Sequence, residues 1–311
     1  MSEYLRKTWV VFLLASVSCF LWGSAFPGVK IGYEWFHIAS GETAAQILFA
    51  GCRFFLAGIL VILFGSLTSG KLLRPSGAEW KHAALISLFQ TILQYILFYI
   101  GLAHTAGTKA SIIIGSNVFI AILTASLIFR QEKLTGKKVL GCLIGFVGVV
   151  LINLAPGKMS LAVSFGGEGL VLLSTVAYAF SSVIMKKYAK KDNPVMLSGY
   201  QFFIGGVVMM VAGYLMGGRI SEVSGKAMLI LLYLSFASAA AYTIWSQLLK
   251  YNPVSKVAVF GFMNPVFGVA LSAILLHESS QIPFWQGGAA LVCITIGIVI
   301  SNKSGREAAA A

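Results

Sequence analysis

The fold is decided by residues 109–141, which read KASIIIGSNVFIAILTASLIFRQEKLTGKKVLG. A second version occurs at residues 256–287, KVAVFGFMNPVFGVALSAILLHESSQIPFWQG. Four landmarks recur at separations of 147, 147, 146 and 146 residues: Lys109 and Lys256, Asn117 and Asn264, Glu132 and Glu278, Gly141 and Gly287. The motif Arg53-Phe54-Phe55 likewise precedes Gln201-Phe202-Phe203 by 148 residues. Self-similarity at one long separation predicts two structural halves.

The composition predicts an all-α integral membrane protein. Of the 311 residues, 58% are hydrophobic and only 11% are charged, whereas a soluble domain carries roughly a quarter charged residues. A membrane helix needs about 20 apolar residues. We count ten such segments, at residues 9–29, 44–67, 82–103, 109–129, 138–154, 167–185, 197–217, 227–249, 254–276 and 284–301.

The basic residues predict the orientation of these segments. With the N-terminus in the cytoplasm, seventeen of the 23 Lys and Arg residues fall in cytoplasmic loops and tails, five fall outside, and Arg53 lies within a span. This positive-inside bias predicts a multi-pass protein of the bacterial plasma membrane with both termini in the cytoplasm.

An odd number of spans in each half inverts the second half relative to the first. We therefore predict a five-helix repeat at 1–155, an inverted five-helix repeat at 156–303 and a disordered tail at 304–311. Inverted repeats place a binding site near the middle of the membrane and favour alternating access.

The sequence lacks the residues that several functional classes usually need. The four cysteines, at 19, 52, 142 and 293, lie inside apolar runs and fit no metal motif, so we interpret them as packing residues. The net charge of +13 resides mainly in short loops, which indicates topology rather than nucleic-acid binding. Asp192 is the only aspartate, the four histidines are scattered, and no Walker-type glycine loop occurs. We therefore expect no enzyme activity, cofactor or metal.

Short motifs carry a resemblance to a known family. They are Leu21-Trp22-Gly23-Ser24, Arg53-Phe54, the span that ends near Glu132, Gly141 with Gly145 and Gly148, and in the second half Asn264-Pro265, His277-Glu278 and Gly287. Together they resemble the ten-span EamA-type branch of the drug/metabolite transporter superfamily, over roughly residues 9–301.

The resemblance implies a secondary transporter, most often an exporter of small metabolites. It implies a cavity lined chiefly by spans 1, 3, 4, 6, 8 and 9, with spans 5 and 10 more peripheral. Proline follows Asn264 but not Asn117, so we expect a helix break only in span 9. In span 5, Gly141 and Gly145 permit close helix approach, either inside the bundle, which we favour, or in a homodimer.

Charged residues within spans are few, and each has two interpretations. Arg53 could bind a substrate carboxylate or phosphate, or it could reach the outer interface or pair with backbone carbonyls. Glu132 and Glu278 lie at span ends, where a cap or loop salt bridge is favoured. His104 is the leading titratable residue for proton coupling, with an interfacial histidine as the alternative.

Neutral polar and aromatic residues within the spans are the candidates for substrate binding. They would suit a polar, uncharged or zwitterionic small molecule such as an amino acid. Alternatives are hydrogen bonds between helices, a multidrug or phosphorylated-metabolite transporter, and a membrane-embedded enzyme. The candidates are Trp22, Ser24, Gln90, Gln94, Tyr95, Asn117, Tyr178, Ser182, Tyr242, Trp245, Gln247 and Asn264.

Overall fold

The structure is a computed structural model that describes residues 3–105, 107–153, 164–220, 223–275 and 284–310. Within these ranges every regular element is helical. The α-helices are α1 (Thr8–Trp35), α2 (Thr43–Ser69), α3 (Gly77–Ser87), α4 (Gln94–Ala103), α5 (Gly107–Gly115), α6 (Asn117–Leu123), α7 (Gly136–Asn153), α8 (Leu170–Ala189), α9 (Pro194–Leu215), α10 (Gly225–Tyr251), α11 (Val254–Ala258), α12 (Met263–Leu275) and α13 (Phe284–Ala310).

The helices confirm the class of an all-helical integral membrane protein. Eight helical stretches among the described residues are long and apolar enough to cross a membrane, and a shorter apolar stretch covers Ile112–Ile128. Helix α7 occupies the segment predicted at 138–154. The last helix, α13, continues to Ala310. Alanine and glutamate near the end are good helix formers, which accounts for the continuation.

Wide π-helical turns occur in three of the apolar helical stretches, one in the interior and two at an end. They occupy Leu88–Leu93 between α3 and α4, Thr124–Ile128 after α6, and Phe165–Gly169 before α8. The first of them lies inside the continuous stretch Gly77–Ala103. Such turns are frequent at functional sites because they shift side chains relative to a regular helix.

The helix break expected only in span 9 occurs in both copies of the repeated stretch, so that prediction is wrong. In the second copy, a 3₁₀ turn at Val259–Phe262 precedes Asn264. In the first copy, Ser116 is a turn residue between α5 and α6, immediately before Asn117. The Ser116 hydroxyl donates to the carbonyl of Ile113 at 2.6 Å. The Ser116 backbone N–H also bonds to the Ile113 carbonyl, three residues back, in place of the four-residue bond of an α-helix. This break therefore occurs without proline.

Helices α2 and α9 pack antiparallel with their backbones almost in contact. A Cβ atom added to Gly51 would lie 2.5 Å from the backbone nitrogen of Met210. Seven residues further along α2, a Cβ atom on Gly58 would lie 2.5 Å from the backbone nitrogen of Phe203. Residue numbers at the contact therefore rise along α2 and fall along α9, as expected for antiparallel helices. Small residues permit such close approach in membranes, where packing rather than the hydrophobic effect joins helices.

Helices α7 and α13 form a second antiparallel pair. A Cβ atom on Gly141 would lie 2.7 Å from the carbonyl oxygen of Gly297, and one on Gly148 would lie 2.7 Å from that of Ala290. Gly141 therefore serves packing inside the bundle, as the sequence favoured.

Replacing Gly206 of α9 by alanine should destabilise the protein. Its Cβ atom would overlap the backbone of Phe55, so α2 and α9 would have to separate. Overpacking of this kind costs about 1–3 kcal/mol. We expect a lower thermal midpoint for the purified protein in detergent, followed by tryptophan fluorescence.

Gly288→Ala is the matched control, because no atom of the described residues lies within 4 Å of a Cβ atom added there in α13. This change should leave the midpoint unchanged or raise it slightly, since alanine favours helices. Equal midpoints for both variants would contradict the importance of the α2–α9 contact.

Candidate functional site

Two tyrosine hydroxyls meet at the centre of the helix bundle. Tyr95 of α4 and Tyr242 of α10 lie 3.1 Å apart at their hydroxyl oxygens, and 147 residues separate them in the sequence. This is the same separation that relates Asn117 to Asn264. Tyr242 is 4% exposed, and Tyr95 is half-buried.

Aromatic rings surround the tyrosine pair on both sides. Trp22 of α1 lies 4.9 Å, ring centre to ring centre, from both Tyr242 and Trp245. On the other side the Phe54 ring lies 4.5 Å from that of Tyr95. The rings present flat apolar walls and polar edges, which suit a ligand with an apolar moiety and a polar group.

Two further rings complete this group. Phe202 stacks on Phe54 at 5.3 Å and meets the edge of Tyr242 at 5.0 Å. The predicted residue Tyr178 of α8 belongs to the same buried cluster. We call Trp22, Phe54, Tyr95, Tyr178, Phe202, Tyr242 and Trp245 the aromatic cluster.

Arg53 lies beside the aromatic cluster, deep in the membrane. It stands ten residues beyond the start of α2, which corresponds to about 15 Å of helix, or half of a hydrocarbon core of about 30 Å. The side chain is 5% exposed, and its Nε donates to the Ser238 hydroxyl at 2.9 Å. The guanidinium lies 5.1 Å from the Phe54 ring centre. Arg53 therefore stays inside the bundle instead of extending to the interface.

Several buried polar atoms in helices of both halves lack a hydrogen-bond partner among the described residues. Leaving a buried polar atom unpaired costs about 1–3 kcal/mol, so such atoms mark places where water or a ligand completes the bonding. They come from α1, α4, α6, α10 and α12. The atoms are Trp22 Nε1, Gln94 Oε1, Asn117 Oδ1, Thr243 Oγ1 and Asn264 Oδ1.

Other predicted site residues bond within the protein. The Ser24 hydroxyl donates to the Leu21 carbonyl and accepts from Tyr233 at 2.6 Å. The Ser182 hydroxyl donates to the backbone carbonyl of Tyr178 in its own helix. These two hydroxyls therefore serve helix packing and the helix backbone in this structure.

Three predicted residues lie apart from this arrangement. Gln90 is buried in the π-helical turn before α4. Gln247 is partly exposed, and because it follows Trp245 by two residues it points from a different face of α10. His104 is exposed at the end of α4.

Sequence reasoning missed the residues that contact Arg53 and its counterpart. Ser238 binds Arg53, and Thr91 donates to Gln201 at 2.6 Å. Thr91 and Ser238 are separated by 147 residues, as Tyr95 and Tyr242 are. Residues that recur at a separation of 147 in the sequence include both pairs, Thr91 with Ser238 and Tyr95 with Tyr242.

A buried polar cluster joins the span ends that the sequence places at the cytoplasmic side. Glu132 accepts from Lys138 Nζ at 2.8 Å and from the Ser255 backbone at 3.1 Å. Nearby, Lys186 Nζ donates to the Asn252 carbonyl. The loop salt bridge favoured for Glu132 is thus present, whereas Glu278 and His277 lie outside the described residues. The cluster holds the stretch before α7 against the start of α11.

A cavity of about 1030 Å³ lies away from the aromatic cluster. It opens between the beginning of α1, the 3₁₀ turn at 259–262, α12 and α13, and its lining is almost entirely apolar. Trp9 and Leu291, which line it, are 53% and 49% exposed. It is therefore a lateral groove on the outer surface of the bundle and does not include the central tyrosine pair.

Comparisons place the chain among known membrane transporters. The model of the EamA-like transporter family matches residues 9–154 and 165–303. The uncharacterized transporter YvbV of Bacillus subtilis is 28% identical, with 99% of this chain and 97% of YvbV covered. The uncharacterized inner membrane transporter YedA of Escherichia coli is 26% identical, with 89% and 88% covered. A protein crystal structure that is 17% identical superposes with a TM-score of 0.76 over 96% of this chain and 98% of its own, which shows a shared fold.

The Tyr95–Tyr242 contact predicts coupled effects of phenylalanine substitution. Either single variant leaves the other hydroxyl without its partner, whereas the double variant removes both. We expect each single change to cost about 0.6 kcal/mol and the double change to cost no more than one single change. A double-mutant cycle of unfolding in denaturant measures this coupling.

Tyr214→Phe serves as the control, because Tyr214 is 57% exposed and its contact with Arg219 uses the ring that phenylalanine retains. Additive effects of the two central substitutions would show that the hydroxyl pair contributes no coupling.

Proposed function

The chain belongs to the EamA-like transporter family, and from that premise we propose that it exports a small polar or zwitterionic metabolite, such as an amino acid, by secondary transport. Family membership makes it a multi-pass membrane transporter; the solute and the direction are the proposal. The observation that carries it is the meeting of Tyr95 and Tyr242 in a buried aromatic cluster where helices from both halves converge. The unpaired polar atoms nearby provide hydrogen-bonding capacity for a polar solute.

We further propose that the ten segments form two inverted five-helix repeats, residues 1–155 and 156–303. The antiparallel pairs α2–α9 and α7–α13 each join helices that are equivalent by sequence, which supports inversion. In addition, α1 contacts α10 and α12, and its counterpart α8 contacts the equivalent helices α4 and α6. A two-fold axis in the membrane plane would relate these contacts and pass between Tyr95 and Tyr242.

Such a symmetry favours alternating access. If the two halves exchange conformations, the side of the bundle that was closed opens and the opposite side closes. In this structure the Glu132 carboxylate accepts from Ser255, and the Asn252 side-chain amide donates to the Leu5 carbonyl, so that contacts join the first half to the second at the predicted cytoplasmic side. At the opposite ends of the spans, Thr105 of the first half donates to Glu168 of the second. A bacterial plasma membrane location with both termini inside agrees with the distribution of lysine and arginine.

The proposal is tested by exchange in proteoliposomes. Vesicles with the purified protein are loaded with a pool of amino acids and related metabolites, including phosphorylated and drug-like compounds, and exchange is followed by mass spectrometry. We expect saturable exchange of one polar or zwitterionic class. Exchange confined to phosphorylated or drug-like compounds would contradict the substrate class, and exchange of none would contradict transport as proposed.

Alanine at Gln94, Asn117 or Trp245 should lower this exchange more than it lowers stability. Each removes a buried polar atom or a ring of the central site, so binding weakens while the glycine-mediated packing stays intact. Exchange rates and thermal midpoints are measured on the same preparations.

His104→Ala is the control, since this residue is exposed at the end of α4. It should leave exchange unchanged. Unchanged exchange in all three central variants would refute the site.

Glu132→Gln should open the cytoplasmic side. The neutral amide leaves the Lys138 ammonium, which is 5% exposed, without its charged partner, and removing one member of a buried pair is strongly destabilising. In a variant without native cysteines, Ser246→Cys reports access, because Ser246 is buried near the same end of α10. We expect faster labelling by a membrane-impermeant maleimide applied from the cytoplasmic side.

Glu79→Gln is the matched control, because Glu79 belongs to the helix cap of α3 and glutamine can fill that role. Equal labelling rates in the two variants would show that the Glu132 cluster does not control access.

A further inference from the structure

We infer that Arg53 is the residue that selects the anionic group of the substrate, and that this group is a single carboxylate. The inference rests on the proposed transport function and specifies the chemistry of its central site.

Arg53 carries a buried charge without a counter-charge. Among the described residues, no carboxylate lies within ion-pair distance of it, and Ser238 is its hydrogen-bond partner through Nε. A guanidinium has a planar fork of donors, so the terminal nitrogens remain able to bind two oxygens side by side. Charges deep in a membrane are expensive and are retained where they bind something.

Tyrosine side chains lie in the part of the bundle that holds Arg53. Tyr99 and Tyr242 are buried in the cluster that contains Phe54, the residue after Arg53, and Tyr33 packs against this cluster. A tyrosine hydroxyl in this site can donate to a carboxylate oxygen that the guanidinium also binds, which satisfies more of the acceptor capacity of the carboxylate.

A second contact between the two halves is equivalent to this one but carries no charge. Gln201 follows Arg53 by 148 residues, and Thr91 precedes Ser238 by 147. Arg53 of the first half donates to Ser238 of the second, and Thr91 of the first half donates to Gln201 of the second. A neutral amide thus fills the equivalent place between the helices. Packing alone does not require the positive charge of Arg53, which leaves ligand recognition as its role.

The number of charges defines the ligand class. In the described centre of the bundle Arg53 is the only cationic side chain, because Lys138 and Lys186 lie in the cluster around Glu132. One guanidinium neutralises one carboxylate. The second negative charge of a phosphate monoester would stay uncompensated in a low-dielectric site.

The test compares amino acids with their amides, which lack only the negative charge. In proteoliposome exchange, the wild-type protein should prefer the acid over the amide. Arg53→Gln should lower exchange of the acid by about 30-fold or more, since it removes one partner of a buried charge pair, and should leave exchange of the amide within about twofold. Gln201→Glu, which adds a negative charge at the equivalent place, is the comparison for a general effect of charge.

The double variant Arg53→Gln/Gln201→Arg moves the charge to the equivalent place and should restore the preference for the acid at least in part. It also covers the case in which Arg53→Gln does not fold. An unchanged ratio of acid to amide in folded Arg53→Gln would overturn the inference. When Arg53→Gln does not fold, equal exchange of acid and amide by the folded double variant would overturn it.

The results distinguish a failure of this inference from a failure of the proposed transport function on which it rests. If the wild-type protein exchanges amides and acids equally well, transport stands and the role of Arg53 falls. If phosphate monoesters exchange as well as carboxylates, the single-carboxylate assignment falls. If no solute of any arm exchanges, the proposed function fails first.

Discussion

The rest of the structure depends on the close approach of two backbones, those of α2 and α9. Glycine at residues 51, 58, 206 and 213 lets these helices touch with no side chain between them. That contact brings Phe54 onto Phe202 and sets Arg53 at the depth of the bundle centre. Lipid offers no hydrophobic gain for joining helices, so this shape fit has to provide the association. The polar residues at the centre are tolerated because the surrounding helix pairs, α2 with α9 and α7 with α13, pack tightly.

Much of this arrangement could be predicted from the sequence. The apolar segments and their glycines follow from what a bilayer demands of a helix, and Trp22, Tyr95, Tyr242 and Trp245 were identified as aromatic or polar residues inside spans. In the structure Trp22 contacts Tyr242 and Trp245, and Tyr95 contacts Tyr242. Arg53 remains in the interior, which the sequence alone left open, because Ser238 and the Phe54 ring give it partners there.

Other features required coordinates. A serine in a span can bond to its own helix, as Ser182 does, or to a neighbour, as Ser24 does with Tyr233, and composition does not distinguish the two. The break at Ser116 occurs without the proline that would have signalled it. Tyr33 lies near an end of α1, and only the packing of α1 brings it against the cluster that contains Phe54.

The difference between Arg53 and Gln201 is available only to a chain that contains both halves. In an assembly of two identical five-helix subunits, any residue chosen for one would appear in the other. Arginine would then occur twice along the α2–α9 contact, about seven residues or 10 Å apart, where like charges repel strongly because lipid screens them poorly. When the two halves belong to one chain, equivalent positions can hold different residues. Each half then keeps a backbone shape equivalent to that of the other, while the single cation at the centre makes the two halves chemically different.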